Sequence, residues 1–191
     1  KDEKGIWTLT TKPLASEMYM YLFVVDGVAT ADPNNPYVYR DFATISNVFI
    51  VGDGIADNYK VNAVAHGTLS HPWYYSTKSG KDRRISIYTP AGYEKNSNEK
   101  YPVLYLLHGG GEDQRGWATQ GRTDLILDNL IAESKAKPMI IVMPNGRAQA
   151  NDRPEGNVFA SAPAFGNFDK DLLGSLIPFI ESKYSVLQDR E

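Results

Sequence analysis

Hydrophobic positions along this chain change their rhythm near residue 60. Before it they come in short runs with no helical period. Trp7-Thr8-Leu9-Thr10 alternates, residues 18–25 form an aromatic and β-branched run, and residues 46–51 form another. Each of these predicts a strand. Asp26-Gly27 supplies a two-residue hairpin turn, and Asp32-Pro33-Asn34-Asn35-Pro36 a loop. Strands at this spacing predict a small immunoglobulin-like β-sandwich over residues 1–56. Four or so strands are too few to close one, so the expectation is a partial domain whose first strands lie ahead of Lys1. Residues 57–66, glycine-flanked and poor in large apolar side chains, predict a linker.

From residue 67 the pattern becomes that of an α/β unit, over residues 67–191. Residues 69–76 and 84–89 predict strands. Residues 101–107 are almost wholly apolar, as expected of a central strand covered on both faces. Leu127, Leu130, Ile131 and Ser134 then share a helical face, with Pro138 as the stop, and residues 139–143 predict the next buried strand. Leu172, Leu173, Leu176, Ile177, Ile180 and Tyr184 repeat at helical spacing over residues 168–184. Pro178 lies inside that stripe and predicts a kink. Strand, helix, strand, helix predicts a mostly parallel sheet with flanking helices.

Composition narrows the chemistry. There is no cysteine, which removes disulfides, thiolate metal sites and a cysteine nucleophile. The net charge of −3 and the lack of a Lys/Arg block argue against nucleic acid as a partner. No apolar run approaches the ~20 residues of a membrane span. His66, His71 and His108 share no ligand spacing, so neither a metal nor another cofactor is expected. The chain opens on Lys1-Asp2-Glu3 with neither an initiator Met nor a signal-peptide core, and the expectation is that its natural N-terminus lies elsewhere.

The most informative residues are His108-Gly109-Gly110-Gly111, directly after the apolar strand. Glycines there let backbone N–H groups approach a ligand without Cβ interference, at the strand end where open α/β sheets bind ligands. A nucleotide phosphate loop needs a Lys that is missing, and Gln114 stands where a dinucleotide fingerprint needs its third Gly. The carboxylates of Glu112 and Asp113 would also repel phosphate. Two readings remain: an oxyanion-hole loop, or a structural turn without a ligand.

Several stretches together resemble one family. They are residues 87–93 (Ile-Tyr-Thr-Pro-Ala-Gly-Tyr), 101–109 (Tyr-Pro-Val-Leu-Tyr-Leu-Leu-His-Gly), 128–133 (Asp-Asn-Leu-Ile-Ala-Glu), 138–145 (Pro-Met-Ile-Ile-Val-Met-Pro-Asn) and 170–173 (Lys-Asp-Leu-Leu), up to Asp189-Arg190-Glu191. From about His66 to Glu191 the chain is similar to the feruloyl esterases, the esterase D-like branch of the α/β-hydrolases also called carbohydrate esterase family one. The front segment, with Gly5-Ile6-Trp7 and residues 21–27, is similar to the early-set immunoglobulin-like domains related to family-48 carbohydrate-binding modules.

The resemblance implies the N-terminal half of an α/β-hydrolase, and a serine carboxylesterase that cleaves feruloyl or acetyl esters of plant cell-wall polysaccharide outside the cytoplasm: secreted, periplasmic or on the outer surface. It carries the oxyanion donor onto the Gly110 backbone N–H. In the family the nucleophile sits in a Gly-x-Ser-x-Gly elbow soon after the Asp-Arg-Glu segment, and no such pattern occurs in these 191 residues. The nucleophile, acid and His are therefore expected beyond Glu191, in the same chain or as a second one, and the 191 residues alone are expected to be inactive. A non-catalytic carbohydrate-binding or scaffold protein on the same fold, or an acyltransferase, would read similarly.

Around Gly110, the expected substrate-binding residues are Gly109, Gly111 and Trp117. Trp117 has two readings, packing against the next helix or walling an acyl ring or sugar. His108 reads as a structural ring holding the turn, and Asp113 and Gln114 as solvated loop residues. The aromatics of residues 73–75 read mainly as packing. Residues 146–167, rich in Gly, Ala, Pro and Asn, predict a long loop on the same sheet edge, bordering the pocket.

Overall fold

The computed structural model describes residues 1–41, 44–93, 98–149 and 165–188. The front part holds β1 (Glu17–Tyr21), β2 (Phe23–Val25), β3 (Val28–Thr30), β4 (Val38–Arg40) and β5 (Ile45–Val51). β5 lies between β1 and β4, antiparallel to both, while β2 and β3 form a separate hairpin. Asp26 and Gly27 both have positive φ (49° and 83°), the backbone of a type I′ turn, so the hairpin falls where its sequence puts it.

Two front-end expectations change. The run over residues 18–25 breaks at Leu22, because its two halves pair with different partners. Trp7-Thr8-Leu9-Thr10 forms no strand: alternation alone does not make a sheet, and Trp7 and Leu9 stand exposed without a partner. The described residues show a three-stranded sheet beside a hairpin, not a closed sandwich.

The back part is built on β6 (Thr68–Ser70), β7 (Trp73–Ser76), β8 (Lys81–Arg84), β9 (Ser86–Thr89), β10 (Val103–Tyr105) and β11 (Ile140–Met143). One sheet runs β10-β11-β9-β6, and β7 pairs with β8. β10 and β11 are parallel, in register Val103 with Ile140. β11–β9 and β9–β6 are antiparallel. The sheet is therefore mixed, which corrects the mostly parallel one expected: strands 6 and 9 precede the first helix and are joined without a crossover, so they return antiparallel. Parallel character resumes at the far edge, where Tyr101 bridges Val186.

Alternation through β11 divides the core. Ile140 and Val142 join Tyr74, Ile85, Ile87, Leu176 and Ile180 on one face. Ile141 and Met143 join Tyr88, Ala118 and Leu127 on the other. Helix α1 (Thr123–Ala132) supplies Leu127 to the second face, and a helix from Phe168 to Lys183 covers the first. β11 is buried along its whole length, as a strand between two layers must be. β10 is less covered than its apolar run predicts: Leu104 is 44% exposed, because only β11 pairs with it along its length.

Helix α1 ends at Ala132, ahead of Pro138. Ser134 adopts a left-handed conformation (φ 58°), Lys135 N–H donates to the Leu130 carbonyl (2.8 Å), and Ser134 N–H donates to that of Ile131 (2.9 Å). This is a Schellman stop with Ser in the place glycine usually fills. The second helix has three parts, α2 (Phe168–Asp171), a π-helical stretch (Leu172–Leu176) and α3 (Ile177–Lys183). The widened turn falls just ahead of Pro178, whose ring crowds the preceding turn and which has no N–H to give it.

Residues 57–66 do not hang free. Arg122 Nη1 donates to the Tyr59 carbonyl (2.9 Å), and the Asn129 amide donates to those of Asn58 and Lys60 (3.0 Å each). His66, outside any strand, places Nδ1 2.9 Å from the buried Asp128 carboxylate, which also accepts from Gly67 N–H and the Tyr88 hydroxyl. Burial first, then Asp128, pushes the Tyr88 pKa well up.

Candidate active site

The glycine turn leaves β10 at its carboxyl end and is held from three sides. His108 Nδ1 lies 2.6 Å from the Gly109 carbonyl, and its Nε2 lies 2.9 Å from the Gly146 N–H. With Nε2 accepting the Gly146 N–H, Nδ1 is the nitrogen that donates to the Gly109 carbonyl. Glu112 reaches back to accept the Gly109 N–H (2.9 Å) and also accepts from the Gln120 amide (2.9 Å). Tyr39 meets the same carboxylate, and burial first, then Glu112, raises its pKa.

The third side is Arg147, which is fully buried. Its guanidinium donates to the carbonyls of Gly110 and Glu112 and lies 5.1 Å over the Phe165 ring. Burial lowers its pKa, and the Asp113 charge offsets part of that.

These contacts orient one peptide. There is no cis bond in the described chain, so the Gly109 carbonyl and the Gly110 N–H point in opposite directions. His108 and the Glu112 N–H hold that carbonyl. Gly110 is exposed, and among the described residues nothing accepts its N–H. Gly111 is buried beneath it.

Behind Arg147 stands a second buried guanidinium. Arg83 donates through Nη2 to the carbonyls of Asn145 and Arg147 (2.7 Å each), and through Nη1 to Asp171 and the Tyr74 hydroxyl. Tyr74 donates to the same Asp171 oxygen (2.5 Å). Burial first, and then Asp171, raises the Tyr74 pKa, although Arg83 opposes the rise.

Trp117 sits on a π-helical turn (Gly116–Gln120) beside the glycines. Its indole N–H donates to the Leu107 carbonyl (2.7 Å), and 41% of the residue is exposed. It is thus fixed by its edge with part of its surface open. Asp113 is closed onto Arg115 through Nε (3.1 Å) and Nη2 (2.7 Å). Burial pushes its carboxyl up, but the Arg115 hydrogen bonds and charge outweigh that and hold it below the usual value.

The structure therefore gathers Gly109, Gly110, Gly111 and Trp117 at one sheet edge. It adds Gln120, Arg147 and Arg83, which sequence reasoning missed, and shows Glu112, read from sequence only as a carboxylate beside the turn, closing it. The loop read over residues 146–167 lies partly outside the described residues. Its described ends, through Gly146, Arg147 and Phe165, meet the glycine turn.

Residues 76–191 match the Esterase family. An endo-1,4-beta-xylanase/feruloyl esterase from Xylanibacter ruminicola is 34% identical over 197 aligned residues, covering 100% of this chain and 26% of that protein. Among solved structures, a ferulic acid esterase from Anaeromyces mucronatus superposes with a TM-score of 0.61 at 31% identity, over 69% of this chain and 50% of that one. The feruloyl esterase module from Clostridium thermocellum, solved with sinapinate, gives 0.52 at 26% identity over 78% of this chain and 42% of that one. The chain thus spans about a quarter of the Xylanibacter relative and half or less of these two structures. Its fold is α/β-hydrolase-like.

Proposed function

The chain belongs to the esterase family, and from that premise we propose that it serves a longer serine carboxylesterase acting on feruloyl or acetyl esters of plant cell-wall polysaccharide. The observation that carries this reading is the exposed Gly110, whose N–H has no acceptor among the described residues, in a turn whose carbonyls are tied down. A serine outside these 191 residues attacks the ester carbonyl, and negative charge develops on its oxygen. The Gly110 N–H, already aimed, and the N–H following the serine stabilise that charge without reorganisation. Gly109 and Gly111 keep the turn free of side chains, and Trp117 offers its open indole surface to the acyl ring. Secretion and a front unit of the immunoglobulin-like, carbohydrate-binding kind over residues 1–56 belong to the same reading. It needs no metal or cofactor.

The absence of a Gly-x-Ser-x-Gly pattern favours one alternative for these residues by themselves, a binding or scaffold role. Hydrolysis separates the two. The longer protein should release ferulate from methyl ferulate and from feruloylated arabinoxylan. Binding of the polysaccharide with no release of acid or acetate would leave the scaffold. Transfer of the acyl group to an added alcohol in preference to water would mark an acyltransferase.

A further inference from the structure

Glu112 closes the glycine turn, and its own carboxylate is held from the front sheet. β4 is an edge strand. Val48 N–H donates to the Tyr37 carbonyl (3.0 Å) and Asp41 N–H to that of Thr44 (3.0 Å). The alternating ladder therefore turns the Tyr39 backbone toward β5 and the Arg40 backbone to the open edge. Gln120, the last residue of the π-helical turn, takes the place of a neighbouring strand there. Arg40 N–H donates to Gln120 Oε1 (2.7 Å), and Gln120 Nε2 donates to the Arg40 carbonyl (3.4 Å). The other hydrogen on Nε2 goes to Glu112 Oε1 (2.9 Å). The carboxamide has one orientation that fits, since a flipped amide would set its oxygen against both the Arg40 carbonyl and the Glu112 carboxylate. From β4 itself, the Tyr39 hydroxyl bonds the same carboxylate.

What Glu112 holds in turn is the residue before the oxyanion donor. Its Oε2 accepts the Gly109 N–H (2.9 Å), and its own N–H donates to the Gly109 carbonyl (3.2 Å). The approach is close: a Cβ on Gly109 would stand 3.2 Å from Glu112 Oε2, and one on Gly116 3.1 Å from its Cδ. Lacking a Cβ, Gly109 has the widest choice of φ and ψ, so the direction of the Gly110 N–H rests on these ties and not on local sterics. A misplacement of about 1 Å in a group that meets the transition state can cost on the order of a hundredfold in rate. We propose that Gln120 is a positioning residue for ester hydrolysis, coupling the β4 edge through Glu112 to the peptide that presents the Gly110 N–H. The front sheet then acts on the rate of the chemical step with any ester, and not by recognising a particular group of the substrate. The proposal rests on the oxyanion role of Gly110 given above.

The test uses the longer protein, with kcat expressed per serine titrated by a fluorophosphonate so that misfolded molecules are not counted. Gln120→Glu is isosteric and keeps an oxygen for the Arg40 N–H, but sets a second carboxylate against Glu112. It should lower kcat about tenfold on methyl ferulate and by the same factor on a nitrophenyl acetate, with KM changed less than about twofold. Exchanging the pair, Gln120→Glu with Glu112→Gln, returns one amide and one carboxylate to the contact and should recover most of the loss. Arg40→Pro deletes the N–H that Gln120 accepts, on an edge that tolerates proline, and should lower kcat about fivefold below Arg40→Ala, which loses only the side chain. An unchanged kcat in Gln120→Glu, a loss that falls on KM or on one ester alone, or no recovery in the exchanged pair overturns the positioning role. Equal rates in Arg40→Pro and Arg40→Ala overturn the coupling to the front sheet. If the parent cleaves neither ester, the esterase reading fails, and the coupling is decided by amide hydrogen exchange. A Gly109 N–H that exchanges about tenfold faster in Gln120→Glu than in the parent then supports it, and an equal rate overturns it.

Discussion

At the scale of single residues, the role proposed for the Gly110 N–H depends on groups that hold the turn. Arg147 holds the Gly110 and Glu112 carbonyls from a fully buried position. Arg147→Met keeps the bulk and takes the charged donor from both part-buried carbonyls, bonds worth about 1.5–3 kcal/mol each. In the longer protein, kcat on methyl ferulate should drop at least about tenfold with little change in KM, since the loss falls on charge that develops only in the transition state. Arg147→Lys, which lacks the two-pronged fork, should recover part of it, and an unchanged kcat in the Met variant would remove Arg147 from the positioning role. Asp113 gives a pH readout. Its folded pKa lies below the ordinary 3.8, so its contribution to stability is present above that value and is lost as pH falls through the folded one. Carboxyl NMR titration should show a depressed midpoint, and Arg115→Ala should raise it, because the guanidinium's hydrogen bonds and charge are lost while burial and the backbone N–H at 115 remain. The glycine turn was legible because glycines after an apolar strand leave few alternatives. Arg147 was not: its partners lie 35 and 37 residues away along the chain, and a lone Arg in a polar loop carries no spacing.

At the scale of elements, Arg83 is the joint of the back part. It ties β8 to α2 through Asp171 and to the segment after β11 through two carbonyls. Both partners of the ion pair are buried, at 1% and 0% exposure. Arg83→Met should lower stability by about 3–5 kcal/mol, because Asp171 is left charged and unpaired; Arg83→Met with Asp171→Leu should regain much of that. Denaturant unfolding of both variants checks it, and a double variant no more stable than the single one would mean that the carbonyl contacts, not the pair, hold the joint. Gly67 is a second checkpoint. A Cβ there would stand 2.4 Å from the Thr89 carbonyl oxygen, so Gly67→Ala forces β6 away from β9 and should destabilise by about 1–3 kcal/mol. The helix stripes were readable from apolar periodicity, and the parallel β10–β11 pair from the strand–helix–strand order. Strand pairing in β6–β9–β11 was not, since a run of apolar residues has no direction. Nor was the end of α1, where Ser134 does what glycine would have announced.

At the scale of the whole molecule, the proposed chemistry rests on what lies at one edge. The Gly110 N–H and the fixed indole of Trp117 are there, and the 191 residues have no Gly-x-Ser-x-Gly in which a nucleophile would be raised over the sheet. Some of its exposed apolar positions lie near the β10 edge. Leu104 and Leu107, on and just after β10, and Leu187, beside the Tyr101–Val186 bridge, are 44–49% exposed. An uncovered strand edge beside apolar side chains is prone to pair with another copy. The 191-residue polypeptide should therefore bind a hydrophobic dye and self-associate with concentration. It should hydrolyse neither methyl ferulate nor a nitrophenyl acetate above background, and a serine-directed fluorophosphonate should leave it unlabelled. A longer protein that includes the elbow should be monodisperse, take up one equivalent of the reagent and lose its esterase activity in step with the labelling. The decisive measurement is the mass of the labelled peptide. If the reagent attaches stoichiometrically to a serine within residues 1–191 and turnover accompanies it, the nucleophile lies inside this chain, and both the division of the site and the inactivity expected of the chain alone are wrong.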